Sequence, residues 1–433
     1  MDLIEKIKSR KAKIAVIGMG YVGFPLAVEF AKAGFSVTGI DINESKIKVI
    51  NHGGSHIPDI DPDVVVPLVR KGKLKATTDF SVLAEIDALS ICVPTPLNKT
   101  KNPDVSFILS ASEKIKAYLH RGQLIVLEST SYPGTTNELI LPMLEETGLK
   151  VGKDFFLAFS PERVDPGNKI YMIHNTPKVI GACTPECLKR AKVYYSQIVE
   201  KIVPVSGNDS AEMVKLLENT FRAVNIGLVN EVALMCDILG IDVWEVLDAA
   251  ATKPFGYMPF KPGPGLGGHC IPIDPYYLSW KLKSLNYYAR FIELAGEINS
   301  RMPDYVVSKV TDALNSVQRS VKGSRILVLG VTYKKDIDDV RESPALDVIK
   351  LLQRKGGKVL FSDPYIHDLR MNDKLISGNA ITPKLLKSVH CVVVTTDHSV
   401  FDYKKILKDA ALIVDTRNAF GSLGLKSKKI VKL

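Results

Sequence analysis

The sequence predicts an α/β protein made of two doubly wound domains joined by a central helical domain that contains one long helix. Three observations carry that reading. KIAVIGMGYVG (13–23) is a short apolar strand running into a glycine turn, with a helical pattern and a second strand behind it. The stretch 208–239 keeps apolar residues at helical spacing and has no internal proline. After residue 320 the strand, helix, strand order of the beginning recurs.

In chain order, PLAVEFAKAG (25–34) is the first helix, stopped by a glycine, and SVTGID (36–41) is a strand that ends in an acid. Strand, turn, helix and strand together form the βαβ unit of a parallel sheet. Further strands are expected at DALSICVPTP (87–96), QLIVLEST (123–130) and FFLAFSPER (155–163), each ending in polar or proline-containing sequence. Ligands of open parallel sheets collect outside those carboxyl ends. The long helix starts at Asn208 or Asp209 and stops at Gly240. Met213, Leu216, Leu217, Phe221, Val224, Leu228, Val232 and Met235 give it more than one apolar face, which implies burial by a domain and by a second copy of the chain. Beyond it, SRILVLGV, KVLFSDP, HCVVVTTDH and ALIVDTR are strands, and ALDVIKLLQRKGG is a helix. This second doubly wound domain has no glycine fingerprint, so it holds a different nucleotide-like ligand or is a structural repeat. The expected boundaries are 1–207, 208–320 and 321–433.

At 433 residues the chain is too long for one core. With 46% hydrophobic and 24% charged residues it has the balance of a soluble globular protein. No apolar run is long enough to span a bilayer, and MDLIEKIKSRKAK has charge where a signal peptide needs an apolar core, so a cytoplasmic protein without membrane contact is expected. The six cysteines lack a CxxC pair, which argues for reduced thiols and no metal. A net charge of +10 raises the question of nucleic acid, but the lysines are spread along the chain and no recognition motif accompanies them. Small anionic ligands fit that charge equally well.

Gly18, Gly20 and Gly23 form GxGxxG, with Tyr21 and Val22 inside the turn. Gly18 permits the tight turn, Gly20 lets a pyrophosphate reach the backbone, and Gly23 lets the helix pack on the strand. Asp41, at the end of the second strand, accepts hydrogen bonds from a ribose 2′-OH and repels a 2′-phosphate, so the cofactor is expected to be NAD rather than NADP. Lys215, Asn219 and Arg222 share one face of the long helix. They are either a solvated polar stripe or a set that stabilises a negatively charged oxygen. PGPGLGGHCIPIDP (262–275) surrounds Cys270 with glycine, which suggests either a ligand pressing on main chain beside a nucleophilic thiol or a surface turn. Asp274 is close enough in sequence to share that site; His269 looks like a base for the thiol, but adjacent residues usually point apart, so it is not expected to be catalytic. A cysteine nucleophile in an NAD protein suggests an aldehyde captured as a thiohemiacetal and oxidised to a thioester. A cysteine hydrolase would have no use for GMGYVG, and a non-catalytic NAD sensor would form no NADH.

GMGYVG, VPTP, STSYPGTT, SPER, AEMVKLLENT, GPGLGGHCIPIDP and KKDIDDVRESPALDV occur in the order found in the UDP-sugar 6-dehydrogenases, which the chain resembles from about residue 11 to 420. VPTPLNK, NPDVS, ATKPFGY and PGPGLGGHCIPIDPYYL bring it nearest to members that act on UDP-N-acetylglucosamine, with UDP-N-acetylmannosamine or UDP-glucose as alternatives. The resemblance implies two Rossmann-like domains, a homodimer or higher oligomer, and two successive NAD-dependent oxidations of the sugar C6 alcohol for polysaccharide synthesis. It makes Cys270 the nucleophile, Lys215 and Asn219 the groups on the C6 oxygen, and Asp274 an acid assisting proton transfer. Thr130 and Glu162 hold water or the reacting oxygen, and Thr95, Thr130 and Arg341 contact the cofactor. Arg163, Phe260, Lys261, Gly267, Tyr333, Lys334 and Arg417 hold the UDP-sugar. In one departure, Pro254 stands where some UDP-glucose enzymes carry an arginine that crosses a dimer, and Arg222 is expected to take part of that binding.

Overall fold

In a computed structural model, residues 1–57, 59–98, 102–165, 167, 168, 170–371 and 374–433 are described. Lys99, the last residue of the VPTPLNK motif, lies outside them. The chain divides into two compact units, one of residues 1–218 and 276–287, the other of 219–275 and 288–433.

The first unit is built on eight strands: β1 (Lys13–Ile17), β2 (Ser36–Ile40), β3 (Leu74–Thr77), β4 (Ala88–Ile91), β5 (Leu124–Leu127), β6 (Phe156–Phe159), β7 (Lys178–Ala182) and β8 (Ile202–Pro204). Their order is β3-β2-β1-β4-β5-β6-β7-β8, parallel except where β7 runs against β6. Because both faces are covered, the central strands are mostly apolar, with Ser90 of β4 a buried exception. Ile14 and Val16 of β1 enter one core, and Ala15 and Ile17 enter the other. Strand order reverses between β1 and β4, the switch point at which such sheets bind ligands. The sequence reading did not include β3, β7 or β8. β3 is a four-residue edge strand whose alternating burial leaves little apolar signal.

The second unit carries the parallel sheet β10-β9-β13-β14-β15, with β9 (Arg325–Leu329), β10 (Lys358–Ser362), β13 (Cys391–Val394), β14 (Ile413–Asp415) and β15 (Ile430–Lys432). A hairpin of β11 (Asp368–Met371) and β12 (Lys374–Ser377) stands apart. Here too the central strand alternates, with Ile326 and Val328 in one core and Leu327 and Leu329 in the other.

The long helix runs over Asn208–Leu239, as the periodicity predicts. Its later part packs against a second helix, Arg290–Asn315, where a Cβ on Gly227 would lie 3.0 Å from Ala295 Cβ. That close crossing leaves room only for small residues. Asn230 Nδ2 donates to Asn299 Oδ1 at 2.8 Å, and Asn299 Nδ2 donates to the Ala223 carbonyl at 3.1 Å, so the crossing is also stitched by buried amides. No described helix is long and apolar enough to cross a membrane.

Candidate active site

The turn after β1 is where sequence and packing agree most closely. Gly18 has φ +91°, and a Cβ there would lie 2.4 Å from the Cys92 carbonyl oxygen. A Cβ on Gly23 would lie 1.9 Å from the Gly18 carbonyl oxygen, so helix Gly23–Lys32 starts hard against the turn. Gly20 differs, because no protein atom lies within 4 Å of its Cβ position. The internal packing of the turn therefore gives no reason for a glycine at 20, and the approach of a ligand does. No side chain caps the helix start at Val22, which leaves main-chain N–H groups for an anion. These features fit a dinucleotide pyrophosphate.

Asp41 does more than the sequence suggests. Its buried carboxylate accepts from Met19 N and Asn43 N, each at 2.9 Å, and pairs with Lys46 Nζ at 3.0 Å. It braces the glycine turn from the end of β2.

The same device recurs in the second unit. Gly330 has φ +80°, and its Cβ would lie 2.4 Å from the Thr396 carbonyl oxygen. Asp363, at the end of β10, accepts from Val331 N at 2.6 Å and from Tyr365 N at 2.9 Å. What differs is His398, fully buried, whose Nε2 lies 3.1 Å from both Asp363 Oδ2 and Thr332 Oγ1. A side chain thus covers the carboxylate that a dinucleotide ribose would need.

Beyond the carboxyl ends of β5 and β6, where antiparallel β7 begins, the first unit gathers a polar cluster. Glu162 Oε1 accepts from Arg163 N at 2.6 Å and Val164 N at 2.7 Å. Lys215 Nζ donates to the Glu162 carbonyl at 2.5 Å. Lys178, buried at the start of β7, donates to Glu128 Oε2 at 2.6 Å and to Glu162 Oε2 at 3.3 Å. Burial pushes the Glu162 carboxyl up, but Lys178, Lys215 and the two backbone N–H groups outweigh it and hold the group below the usual carboxylate range. Arg163 faces Glu218, at 2.6 Å, and the Pro177 carbonyl, at 2.7 Å. Thr95 is buried just beyond β4, and Thr130 is half-buried just beyond β5. The loop that follows Thr130 is tied to the long helix by Glu212, whose carboxylate accepts from Gly134 N at 2.7 Å and from Thr136 Oγ1 at 2.7 Å. Burial pushes Glu212 up to about 7 against those donors.

In the second unit, three predicted residues come together. Asp274 N donates to the Cys270 carbonyl at 2.8 Å, and the Asp274 carboxylate accepts from Asn219 Nδ2 at 2.5 Å. Asn219 and Asp274 are buried, whereas Cys270 is exposed. The remaining cysteines are buried, apart from half-buried Cys183.

The glycines before Cys270 have a cause within the chain that a local reading does not supply. A Cβ on Gly263 would lie 2.4 Å from Arg417 Nη1, one on Gly267 2.6 Å from Tyr333 Cβ, and one on Gly268 2.8 Å from the Tyr333 ring. The chain's own side chains press on this main chain. Gly263 N donates to Asn230 Oδ1 at 2.9 Å, and Gly268 N to the Arg341 carbonyl at 3.1 Å, which fixes the loop at both ends. Arg417 Nε donates to the Thr395 carbonyl at 3.0 Å, and the Arg341 guanidinium holds Asp339 at 2.6 Å. Phe260 packs edge-on to Phe221 with centroids 5.8 Å apart. Lys261 and Arg222 are exposed, and Lys334 is half-buried. Sequence reasoning missed Glu128, Lys178, Glu212, Asn230, Asn299 and the role of His398. A charged or amide residue inside an otherwise apolar element is the only signal they leave.

Residues 12–199 match the NAD binding domain of the UDP-glucose/GDP-mannose dehydrogenase family, 209–301 its central domain, and 327–422 its UDP binding domain. The chain is 37% identical over 356 residues to UDP-N-acetyl-D-glucosamine 6-dehydrogenase of Pseudomonas aeruginosa, covering 82% of this chain and 83% of the relative. It is 36% identical over 440 residues to UDP-N-acetyl-D-mannosamine dehydrogenase of Methanococcus maripaludis, covering 97% and 96%. Among solved structures, UDP-D-ManNAc dehydrogenase of Pyrococcus horikoshii superposes with a TM-score of 0.87 at 35% identity, covering 97% of this chain and 98% of that one. With the glycine turn, the bracing acid and the second nucleotide-type sheet already accounted for, these matches leave one assignment: the chain is an NAD-dependent member of the UDP-glucose/GDP-mannose dehydrogenase family.

Proposed function

We propose that this protein oxidises the C6 alcohol of a UDP-N-acetylhexosamine, UDP-N-acetylglucosamine first among them, to the uronic acid. The observation that carries the reading is the Cys270, Asp274 and Asn219 arrangement: an exposed thiol on a pinned loop, beside a buried acid and amide. Each of the two oxidations would use its own NAD as hydride acceptor, so two NAD are consumed per sugar. In the first, the C6 hydroxyl loses its proton as the aldehyde forms, and Lys215 and Asn219 stabilise the charge on that oxygen. Cys270 Sγ then bonds to C6, giving a thiohemiacetal. Loss of the thiohemiacetal hydroxyl proton and of a second hydride, to a second NAD, leaves a thioester. Water adds to the carbonyl, the C–S bond breaks, and the carboxylate leaves as the thiol regains its proton. Asp274 takes the proton from that water, with Glu162 and Thr130 holding water or the reacting oxygen.

Arg163, Phe260, Lys261, Gly267, Tyr333, Lys334, Arg417 and Arg222 hold the UDP-sugar in this scheme, and Thr95, Thr130 and Arg341 the cofactor. Domain limits at 1–207, 208–320 and 321–433 follow the same reading. The names of the Pseudomonas and Methanococcus relatives both specify an N-acetylated sugar, which supports the hexosamine over glucose. The reaction is placed in the cytoplasm, toward surface polysaccharide. An NADH absorbance assay across UDP-N-acetylglucosamine, UDP-N-acetylmannosamine, UDP-N-acetylgalactosamine and UDP-glucose is expected to give two NADH per sugar consumed, fastest with the first. One NADH per sugar, or none with any of the four, would overturn the scheme.

The working unit in this reading is a homodimer. Phe221, Leu228, Met235 and Leu239 are 45%, 54%, 48% and 69% exposed on one stripe of the long helix, with Phe291 and Leu294 exposed on the helix that crosses it. Such a stripe is too apolar to be left in water. Light scattering is expected to return twice the chain mass, and the Phe221→Asp/Leu228→Asp double variant to return the single mass. A monomeric wild type would refute the assignment.

A further inference from the structure

Lys178 is an ammonium buried at the foot of an apolar strand, KVIGA, and nothing in the scheme above uses it. Its partners explain where it is held but not why it is there. Glu128 is satisfied on one side by Tyr195, whose hydroxyl donates to Oε1 at 2.6 Å, and on the other by Lys178 at 2.6 Å. Glu162 takes the remaining reach of the ammonium at 3.3 Å, with its other oxygen on the Arg163 and Val164 backbone N–H groups. A buried ion pair is seldom kept for stability, because well-packed apolar side chains do as well or better there. Two acids sharing one cation therefore call for a reason beyond folding, and one of the two acids is a residue of the proposed site.

We propose that Lys178 is a positioning residue of the dehydrogenase site, whose ammonium, shared with Glu128, aims the Glu162 carboxylate and supplies its counter-charge. The proposal rests on the reading of Glu162 as the group that holds water or the reacting oxygen, a task that needs a carboxylate able to accept hydrogen bonds. Every charged neighbour of Glu162 bears on it. Lys178 comes from β7. Lys215 comes from the long helix but binds the Glu162 carbonyl, not its carboxylate. Glu128 stands beyond β5 and repels. Cys92 stands beyond β4, where burial keeps its thiol protonated well above its ordinary range. Arg163 turns its guanidinium away to Glu218. Among the described residues, Lys178 is thus the one cation paired with the Glu162 carboxylate, at 3.3 Å, and Glu128 is its competitor.

The test is the acid limb of kcat against pH, measured by NADH formation, for the wild type, Lys178→Gln, Glu128→Gln, the double variant and Glu162→Gln. Loss of the cation is expected to move the limb up by about one pH unit or more, since an opposite charge at this range shifts a carboxyl by that much. Loss of the competing acid is expected to move it down, and the double variant to fall near the wild type. A merely structural lysine would lower the melting temperature and the yield of folded protein without shifting the limb in opposite directions. If Lys178→Gln does not fold, Glu128→Gln decides alone: a downward shift supports the proposal, and an unmoved or raised limb overturns it. Glu162→Gln separates the two levels. If it keeps the wild-type limb, the reading of Glu162 has failed; if it abolishes the limb while Lys178→Gln leaves it in place, only the role of Lys178 has failed.

Discussion

Replacing Cys270 by alanine is expected to abolish uronate formation, with kcat for the complete reaction falling on the order of 10³-fold or more, as loss of a nucleophile typically does. The first oxidation needs no thiol, so Lys215 and Asn219 still serve it. The yield of NADH is therefore expected to drop to at most one per sugar, with aldehyde in place of acid. Two further readouts separate lost chemistry from lost structure. Cys270 is exposed, so removing its sulfur should change stability by no more than about 0.5 kcal/mol. The glycine turn and Asp41 belong to the other compact unit, so NAD affinity should stay at the wild-type value. Cys270→Ser is expected to resemble alanine, because an alkoxide is far harder to form than a thiolate near neutral pH. Wild-type uronate output from either variant would sink the covalent scheme and leave a hydrated aldehyde as the species oxidised.

What could be read from the sequence was whatever is local. β1, β2, β4, β5 and β6 are apolar runs with turn chemistry at their ends, and the long helix keeps one period over its 32 residues, so short windows suffice. The glycine turn was legible for the same reason. The loop before Cys270 was half legible. Glycine there implied close approach, but the approaching groups, Arg417 and Tyr333, come from far along the chain, and substrate was the only candidate that a local reading could supply. Lys178 shows the limit most clearly. A lysine at the head of VIGA reads as a solvated strand end, and only the fold brings Glu128 and Glu162 to it from two other strands. The antiparallel β7 that carries it was missed for a related reason, since strand direction is decided by pairing and not by composition.

The glycines of the first turn make separable contributions, and alanine at each should expose them. Gly23→Ala puts a methyl 1.9 Å from the Gly18 carbonyl oxygen, which is backbone and cannot step aside without opening the turn. Overpacking of that kind costs about 1–3 kcal/mol. In a unit of this size that amounts to a melting temperature lower by roughly 2–4 °C per kcal/mol. Opening the turn also disturbs Met19 N on Asp41, so NAD affinity should fall together with stability. Gly20→Ala meets no protein atom within 4 Å, and its φ lies outside the left-handed region, so the folded chain should accept it with its melting temperature unchanged. Its methyl nevertheless occupies the space through which a pyrophosphate would approach the backbone. NAD titration followed by tryptophan fluorescence should therefore weaken for both variants, while thermal melts weaken for Gly23→Ala alone. If Gly20→Ala bound NAD as tightly as the wild type, the open space at that position would have some purpose other than the cofactor, and the division between what Gly18 and Gly23 do for the fold and what Gly20 does for the ligand would have to be drawn elsewhere.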